Sequence, residues 1–391
     1  MQGAAEVDEV VGHFPSLRDQ RHSCFLSLAD SAGSLWSPRD ASENCRDSCI
    51  EICLRSVLVH SEVVTESDLE LLHGLQIAPR ISWADAARIL RTTPATLAAR
   101  WARLRREGLA WITAHRGGNP APVMALIEVD CVPGARADVV TAICADRRAV
   151  TVEESTRGRD LLVTALTRDL EGLTEFVLDD LSSQPGVQTQ RTSLITTLHR
   201  HGGDWRLGAL DRRQESAFEA AAAAMRPSRS VRPPEDDGPL REVLAADGRA
   251  SAADCARVTG RNPATVRRQL ARLLASGTVA FRCEVAQLVS GHPISSTWLV
   301  SVSPADQERT VAALSTLSEL RMCASITGDA TIAFTVWTSS LADITRLERR
   351  IGERLPWLSI RDSGVNLRTR KRMGWMLDPT GRATGVVVTP V

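Results

Sequence analysis

The sequence predicts an α+β protein in which a winged-helix-like helix-turn-helix unit is followed by a ferredoxin-like β-α-β-β-α-β unit, and this pair of units occurs twice. Two observations carry the prediction. A set of residues recurs at one constant separation, and within each copy the hydrophobic period changes from helical to strand-like. The separation is too long for a solenoid repeat, so it indicates duplicated domains.

The recurring segment has no gaps. Pro94 returns as Pro263, a separation of 263 minus 94, or 169 positions. The matched residues are Ser82, Ala84, Asp85, Ala87, Arg88, Pro94, Ala95, Thr96, Ala102, Arg103, Leu104 and Gly108, repeated as Ser251, Ala253, Asp254, Ala256, Arg257, Pro263, Ala264, Thr265, Ala271, Arg272, Leu273 and Gly277. Two copies of one recognition surface on one chain suggest a symmetric target.

Composition sets limits on the partners. The chain has 391 residues, with 47 basic and 47 acidic side chains, so any nucleic-acid binding must come from a local patch. No apolar run approaches the length of a membrane span, and the N-terminus lacks the pattern of a signal peptide. Scattered cysteines in apolar stretches fit buried, reduced thiols. These features predict a cytoplasmic protein with no membrane partner, and the arginine-rich, alanine-rich composition is typical of a bacterial source.

The chain divides into seven segments. Their predicted ranges are an N-terminal appendage (1–63), a first helix-turn-helix (64–117), a first ferredoxin-like unit (122–205), a linker (206–236), a second helix-turn-helix (237–285), a second ferredoxin-like unit (294–376) and a C-terminal tail (377–391). The appendage is interpreted as disordered or as the product of a mis-assigned start codon. Its Cys45, Cys49 and Cys53 would share a helix face near His60, but without paired Cys-x-x-Cys motifs no metal site is predicted.

Capping signals place the helices of each helix-turn-helix. Ser82 and Ser251 each precede an aspartate three positions later, the pattern of a capping box. Thr93 and Asn262 each precede a proline, which suits the first position of a helix. The second and third helices of each unit are therefore predicted to begin at these residues.

The third helix of each unit has one apolar and one basic face. Leu97, Trp101 and Leu104 form a stripe in the first copy, and Val266, Leu270 and Leu273 form its counterpart. The opposite faces carry Thr96, Ala99, Arg103 and Arg106 in the first copy, and Thr265, Arg268, Arg272 and Ala275 in the second. A solvated arginine face is the alternative interpretation, but its occurrence in both copies favours recognition helices that enter the major groove.

The predicted DNA-binding residues combine these helix starts and outer faces. They are Thr93, Thr96, Arg100, Arg103, Asn262, Thr265, Arg267, Arg268 and Arg272. The copies differ where Ala99 aligns with Arg268, and where Arg91 stands in the turn that Gly260 occupies in the second copy. The two units should therefore read different half-sites, which together form an imperfect palindrome.

The remaining part of each copy alternates strands and helices. The first copy is predicted to have strands at 123–130, 149–156, 161–167 and 187–198, with helices at 134–146 and 169–182. The second copy has strands at 296–303, 321–327, 331–338 and 358–367, with helices at 305–317 and 340–354. The order is β-α-β-β-α-β, a ferredoxin-like unit that leaves one face of its sheet uncovered. The uncovered faces of the two units are expected to pair with each other, and recruitment of another chain by these faces is the alternative.

A capped helix-turn-helix, a short strand-like link and a β-α-β-β-α-β unit with a glycine between its central strands occur in this order in both copies. In this arrangement the chain resembles the Lrp/AsnC family of transcription regulators, from about Thr65 to the end, and is similar to actinobacterial members with two fused copies. The resemblance implies that the β-rich unit, called RAM, mediates intramolecular pairing or homo-oligomer assembly. It also implies sensing of an amino acid or a related small molecule.

The family's effector loop has a glycine followed by an acid. The corresponding residues here are Gly158 and Asp160 in the first copy, and Gly328 and Asp329 in the second. In the first copy the acid comes early, and in the second Thr331 stands in the usual acidic place. A plain tight turn between strands is the alternative interpretation of both loops.

Two other classes of function remain open from the sequence. Enzymes that decarboxylate sirohaem share this architecture, but neither copy carries their Arg-Arg-Phe-Gly stretch with its following histidine. A RAM scaffold whose helix-turn-helix units pair with protein is the other alternative. No catalytic residue, cofactor or metal is predicted, and double-stranded DNA is the expected partner of a transcription regulator that is not an enzyme.

Overall fold

The computed structural model describes residues 64–117, 121–156, 158–227 and 231–390. The predictions for the appendage at 1–63, including its cysteines, fall outside these ranges and stay predictions. Within the described ranges, every helix is too short or too polar to cross a lipid bilayer.

The first half of the chain has the predicted order of helices and strands. Its elements are α1 (Glu66–Ile77), α2 (Trp83–Leu90), α3 (Pro94–Arg106), β1 (Ala110–Arg116), β2 (Val123–Cys131), α4 (Arg136–Ala145), β3 (Ala149–Ser155), β4 (Leu161–Thr167), α5 (Leu170–Thr174, continuing as a π-helix over Glu175–Leu181) and β5 (Val187–Arg200). In the predicted linker, helix α6 (Arg212–Ala224) follows. Phe218 of α6 is fully buried against α1, so this segment packs on the first helical unit.

The second half repeats the order. Its elements are α7 (Gly238–Ala246), α8 (Ala252–Thr259), α9 (Pro263–Ser276), β6 (Val279–Val285), β7 (Ile294–Ser301), α10 (Gln307–Ser315), β8 (Leu320–Ile326), β9 (Ile332–Thr338), α11 (Leu341–Arg354), β10 (Ser359–Arg372), β11 (Trp375–Leu377) and β12 (Ala383–Val387). Strand β12 lies in the segment that was predicted only as a C-terminal tail. It pairs with β11, and its Ala383 amide donates to the Gly108 carbonyl at 2.9 Å.

The predicted capping residues begin the helices as expected. The Ser82 hydroxyl accepts from the Asp85 amide, and the Ser251 and Asp254 side chains form a reciprocal capping box. The Thr93 side chain accepts from the Thr96 amide at the start of α3. These local interactions satisfy amides that have no partner within a helix.

Eight strands of the described chain close into a barrel in the order β10, β3, β4, β2, β5, β8, β9, β7 and back to β10. The fourth strand of each β-α-β-β-α-β unit makes the closure, because β5 pairs with both β2 and β8, while β10 pairs with both β7 and β3. The helices α4, α5, α10 and α11 cover the outside of the barrel, where two separate apolar cores form. Closure leaves these strands without a free edge.

The two seams between the halves have matching hydrogen bonds. At one seam the Thr156 amide donates to the Val365 carbonyl at 2.9 Å, and at the other the Thr327 amide donates to the Leu194 carbonyl at 2.9 Å. Both pairs are related by a shift of 171 positions, since 327 minus 156 and 365 minus 194 give this value. The halves therefore contact each other through the same surfaces, as in a twofold dimer.

A second sheet joins the two helix-turn-helix units. Strand β1 pairs antiparallel with β6 along its whole length, from Ala110 opposite Val285 to Arg116 opposite Val279. The two strands follow directly after α3 and α9. This two-stranded ribbon therefore fixes the third helices relative to one another through their C-terminal ends.

Candidate nucleic-acid interface

The apolar stripe of each third helix is buried as predicted. Leu97, Trp101 and Leu104 of α3 are at most 6% exposed, and the same limit holds for the counterpart stripe of α9. Neither helix contains an acidic residue. Burial of one face leaves the opposite, basic face of each helix turned away from its own core.

The arginines of α9 reach solvent. Arg267, Arg268 and Arg272 are exposed, and none of them forms an ion pair within the described residues. Arg272 makes one long hydrogen bond, from Nη2 to the Arg232 carbonyl at 3.4 Å. Thr265 is half-buried, and the Asn262 side chain is used at the helix start, where its Oδ1 accepts from the Ala264 amide at 2.9 Å. The second unit thus brings together three of its predicted cationic site residues on one exposed face.

Arg103, the counterpart of Arg272, is placed differently from the sequence projection. Its guanidinium donates to Asp68 at 2.6 Å and to Glu107 at 3.0 Å. Asp68 is 1% exposed and the Arg103 side chain is 33% exposed, so this ion pair ties the half-buried arginine to α1. Arg103 and Arg272 differ because the aspartate that pairs with Arg103 has a counterpart that is engaged elsewhere in the second unit. Asp237 aligns with Asp68 in the second unit and pairs with Arg241 instead, so it leaves Arg272 without an acidic partner.

The remaining predicted residues of α3 have smaller roles in the fold. The Thr96 hydroxyl lies 2.8 Å from the Thr93 hydroxyl, so both side chains belong to the helix start. Arg100 is half-buried. Arg105 was not among the predicted site residues, and it ion-pairs with Asp247 of the other helical unit. The basic surface of the first unit is consequently smaller than that of the second.

The turns before the third helices differ as the sequence indicated. Gly260 ends α8 with φ 66° and ψ 14°, in the left-handed region that glycine adopts readily. Arg91 ends α2 with φ 52° and ψ 48°, a left-handed conformation that is strained for a residue with a Cβ. The first copy therefore has the less favourable turn.

The predicted effector loops lie at opposite seams of the barrel. Asp160 accepts a hydrogen bond from the Cys131 amide at 2.7 Å and ion-pairs with Arg136. Asp329 is exposed, and its backbone carbonyl accepts from the Ser301 hydroxyl at 2.6 Å. Gly158 and Gly328 have φ values of 70° and 116°, as tight turns require. These features describe turns, and effector binding at the four residues stays a prediction.

Sequence reasoning missed two groups of contacts made by arginines that the fold brings to distant partners. Arg80 and Arg249 lie between the helix-turn-helix units, and Arg159 lies inside the barrel. The recurrence of an arginine 169 positions apart was a usable signal for the first group, since 249 minus 80 gives that separation. Nothing local marks Arg159, because its partners come from distant strands.

The chain is similar to an uncharacterized HTH-type transcriptional regulator of Pyrococcus abyssi, with 27% identity over 152 residues, covering 37% of this chain and 95% of the relative. A regulator of the same description from Pyrococcus furiosus is 26% identical over 145 residues, covering 36% of this chain and 97% of the relative. The predicted resemblance to helix-turn-helix transcriptional regulators is confirmed. No protein-family model matches the chain.

The chain is also similar to two solved structures. The leucine response regulatory protein of Mycobacterium tuberculosis is 24% identical and covers 36% of this chain and 96% of its own, with a TM-score of 0.30. The sirohaem decarboxylase NirDL is 13% identical and covers 79% of this chain and 93% of its own, with a TM-score of 0.46.

Proposed function

We propose that the protein is a sequence-specific DNA-binding transcription regulator of the Lrp/AsnC type, in which two regulator units are fused in one chain and act in the cytoplasm. One observation carries the proposal. Two capped third helices without acidic residues are held together by the β1–β6 ribbon. Two such helices on a twofold frame are the arrangement with which helix-turn-helix dimers read paired half-sites.

The length of the relatives supports the fusion. Each of the two Pyrococcus regulators aligns over almost its whole length with little more than a third of this chain. The barrel supplies the second support, because its two seams repeat the same hydrogen bonds between unlike halves. We propose that the two RAM units make within one chain the contact that separate chains make in a dimer, and that the seven segments follow the predicted ranges.

The two units are proposed to read unlike half-sites in successive major grooves about 10 base pairs apart. The second unit offers Arg267, Arg268 and Arg272 on an exposed face, whereas the first unit uses Arg103 within its own fold. Arginine recognises guanine edges and phosphates, and threonine contacts either phosphate or base. The stronger base contacts should therefore come from the second unit. Modulation by an amino acid or a related molecule at the RAM loops is part of the same proposal.

Selection of bound fragments from host genomic DNA, performed at two salt concentrations, tests the function. We expect enrichment of fragments that share one imperfect palindrome. The affinity for these fragments should fall steeply with salt, because each neutralised phosphate releases counterions. Absence of any enriched fragment, at the lower salt concentration as well, would refute the regulator function.

A further inference from the structure

Arg249 of the second helix-turn-helix unit binds the backbone of the first. Its Nη1 donates to the Pro79 carbonyl at 2.7 Å, and its Nη2 donates to the Ile81 carbonyl at 2.7 Å. Both carbonyls belong to the connection between α1 and α2. The guanidinium also lies 3.8 Å from the ring centroid of Trp83, within the range of a cation–π contact.

Arg80 of the first unit makes the reciprocal contacts. Its Nη2 donates to the Ala250 carbonyl at 3.2 Å, its Nη1 donates to the Gly248 carbonyl, and its guanidinium lies over the Phe281 ring. Arg80 and Arg249 are equivalent residues of the two copies, and so are the carbonyls that they bind. The contact is therefore isologous, with the same surface used by both units. We call these two arginines and their four carbonyl partners the arginine clasp.

The arginine clasp is partly withdrawn from water. Both side chains are half-buried between the two units, and burial lowers the pKa of Arg249 to about 10. Burial also lowers the pKa of Arg80. A guanidinium removed from water is destabilised unless its donors are satisfied, so the geometry of the carbonyls matters to both units.

The two helix-turn-helix units are attached to the rest of the protein in different ways. The core of the first unit is continuous with Trp205, Phe218 and Trp375, which come from outside the unit. The buried core of the second unit contains residues 240–279 together with Ala114 of the ribbon, and no residue of the barrel contributes to it in the described ranges. The second unit therefore depends more on the ribbon and on its surface contacts with the first unit.

The ribbon and the arginine clasp attach the second unit to different elements of the first unit. It joins β6 to β1 at the C-terminal side of α9, whereas the arginine clasp joins the connection between α7 and α8 to that between α1 and α2. In the α7–α8 connection the Gly248 amide donates to the Ile112 carbonyl of β1 at 3.1 Å, so the clasp adds to the ribbon a direct link to the α1–α2 connection of the first unit. Arg105, which ion-pairs with Asp247, and strand β12 lie near the clasp and support the same interface.

We propose that the arginine clasp holds the second helix-turn-helix unit at a fixed distance and orientation from the first, and thereby sets the spacing of half-sites that the protein accepts. This inference rests on the proposed function. Arg80 and Arg249 are positioning residues in this scheme, since they bind the other unit's backbone and not DNA. A protein without the clasp should keep its base preferences and lose its preference for one spacing.

The test uses the full-length chain and a duplex that the wild-type protein enriches from a randomised library. Duplexes with one or two base pairs inserted or deleted between the half-sites are compared with the parent duplex. For the wild type we expect each change to lower affinity by at least about tenfold, the scale of a mismatched site. For R80M/R249M, which keeps apolar volume and removes the donors, we expect a loss of less than about threefold on the same series.

Arg349 supplies the matched control, because it is an exposed arginine of α11, far from the clasp in the chain. R349M should behave as the wild type in the spacing series. If R80M/R249M does not fold, R249K retains the charge and removes the paired donors, and it should show an intermediate spacing profile. Hydrogen exchange of the variants adds a readout without DNA, with faster exchange expected in α8 and α9 than in α2 and α3.

The possible outcomes separate the two proposals. If the wild type enriches no duplex, the regulator function fails, and hydrogen exchange alone decides the clasp. If the wild type binds but the clasp variants keep its spacing profile, the clasp inference fails and the regulator function stands. Unchanged exchange in α8 and α9 would likewise overturn the role of the clasp.

Discussion

Arg159 from the first half of the chain donates a hydrogen bond to Asp362 from the second half at 2.5 Å, at the seam between β3 and β10. The same nitrogen donates to Glu128 at 3.0 Å, and the Arg159 side chain is fully buried. A shift of 171 positions places Ala330, Leu299 and Arg191 at the equivalent sites of the second seam. The first seam therefore has a fully buried arginine, whereas at the second seam Ala330 and Leu299 belong to an apolar cluster and the arginine, Arg191, is half exposed and ion-pairs with Asp130.

Removal of Arg159 should destabilise the barrel. R159A leaves the Glu128 and Asp362 carboxylates at the seam without the buried guanidinium, and loss of one partner of a buried pair costs about 3 kcal/mol or more. Denaturant unfolding measures this change. The triple variant E128L/R159A/D362L replaces the charged group with apolar residues and should recover most of the stability.

The exposed pair of Arg349 and Glu353 provides the comparison for that experiment. Its side chains are 72% and 65% exposed, and ion pairs between exposed side chains contribute little to the free energy of unfolding. R349A should change the free energy of unfolding by less than about 0.5 kcal/mol. A similar effect for R159A and R349A would contradict the importance of the buried seam.

Substitution of Arg91 by glycine should stabilise the first helix-turn-helix. The left-handed conformation of Arg91 costs roughly 1–2 kcal/mol in a residue with a Cβ, and added freedom of the unfolded chain offsets part of the gain. We expect R91G to raise stability by about 0.5–1 kcal/mol in thermal unfolding. G260A, at the equivalent turn, should lower stability by about 1 kcal/mol, because space is available but the conformation is unfavourable. A destabilised R91G would show that the arginine makes a compensating contact.

Substitution of the equivalent residues Arg103 and Arg272 should affect different properties, namely stability for Arg103 and DNA affinity for Arg272. R272A removes an exposed arginine from the proposed DNA face, and affinity for the selected operator should fall by about 1–3 kcal/mol if it reads a base, with little change in Tm. R103A leaves the buried Asp68 without its interhelical partner, so Tm should fall. R268A should behave as R272A. Footprints and affinities that are unchanged in both R268A and R272A would refute the assignment of α9 as a recognition helix.

Protonation of His73 should weaken the fold in mild acid. Its Nδ1 accepts from the Ala209 and Leu210 amides at 3.1 and 3.0 Å, which requires an unprotonated nitrogen. Burial, with a smaller contribution from Arg206, lowers the pKa of His73 from 6.5 to about 4. Between these values the unfolded chain binds the additional proton, so stability falls as pH decreases through this window.

The size of this loss of stability follows from the lowered pKa of His73. At 1.36 kcal/mol for each pKa unit, His73 accounts for a loss of about 3 kcal/mol between neutral pH and pH 4. H73N keeps an acceptor and does not titrate. Between neutral pH and pH 4 its free energy of unfolding should therefore fall by about 3 kcal/mol less than that of the wild type. H73A should also lose the pH dependence but be less stable at pH 7, since two amides lose their acceptor. An unchanged pH profile in H73N would exclude His73 as the source.

A pair of glycine variants tests how the C-terminal strand is held. Gly108 has φ 67°, and a Cβ there would collide with the Ala383 carbonyl oxygen of β12. Gly381 has φ 78° with open space around it. Both alanine substitutions carry the conformational cost of about 1 kcal/mol, and G108A should cost at least about 1 kcal/mol more because β12 must move. Equal losses of stability in thermal unfolding would indicate that β12 does not pack on Gly108.

Local physical chemistry let the sequence predict most elements of this fold. Hydroxyl and amide caps before proline or aspartate began α3, α8 and α9 where expected, because a cap requires only residues within one turn. The change of hydrophobic period predicted the β-α-β-β-α-β order. Glycine at position 260 indicated the left-handed turn that ends α8. The basic faces of the third helices were also visible in the sequence, since a helix period assigns residues to faces.

Tertiary structure alone decided which of those residues are available and how the halves are joined. Asp68, 35 positions before Arg103, engages that arginine, while Arg272 stays exposed because the second unit's aspartate pairs elsewhere. The barrel closure joins strands of opposite halves. The Arg159–Asp362 pair and the arginine clasp join residues that are more than 160 positions apart in the chain. Periodicity and capping describe one segment at a time, whereas these contacts depend on strand register and on the relative position of two folded units.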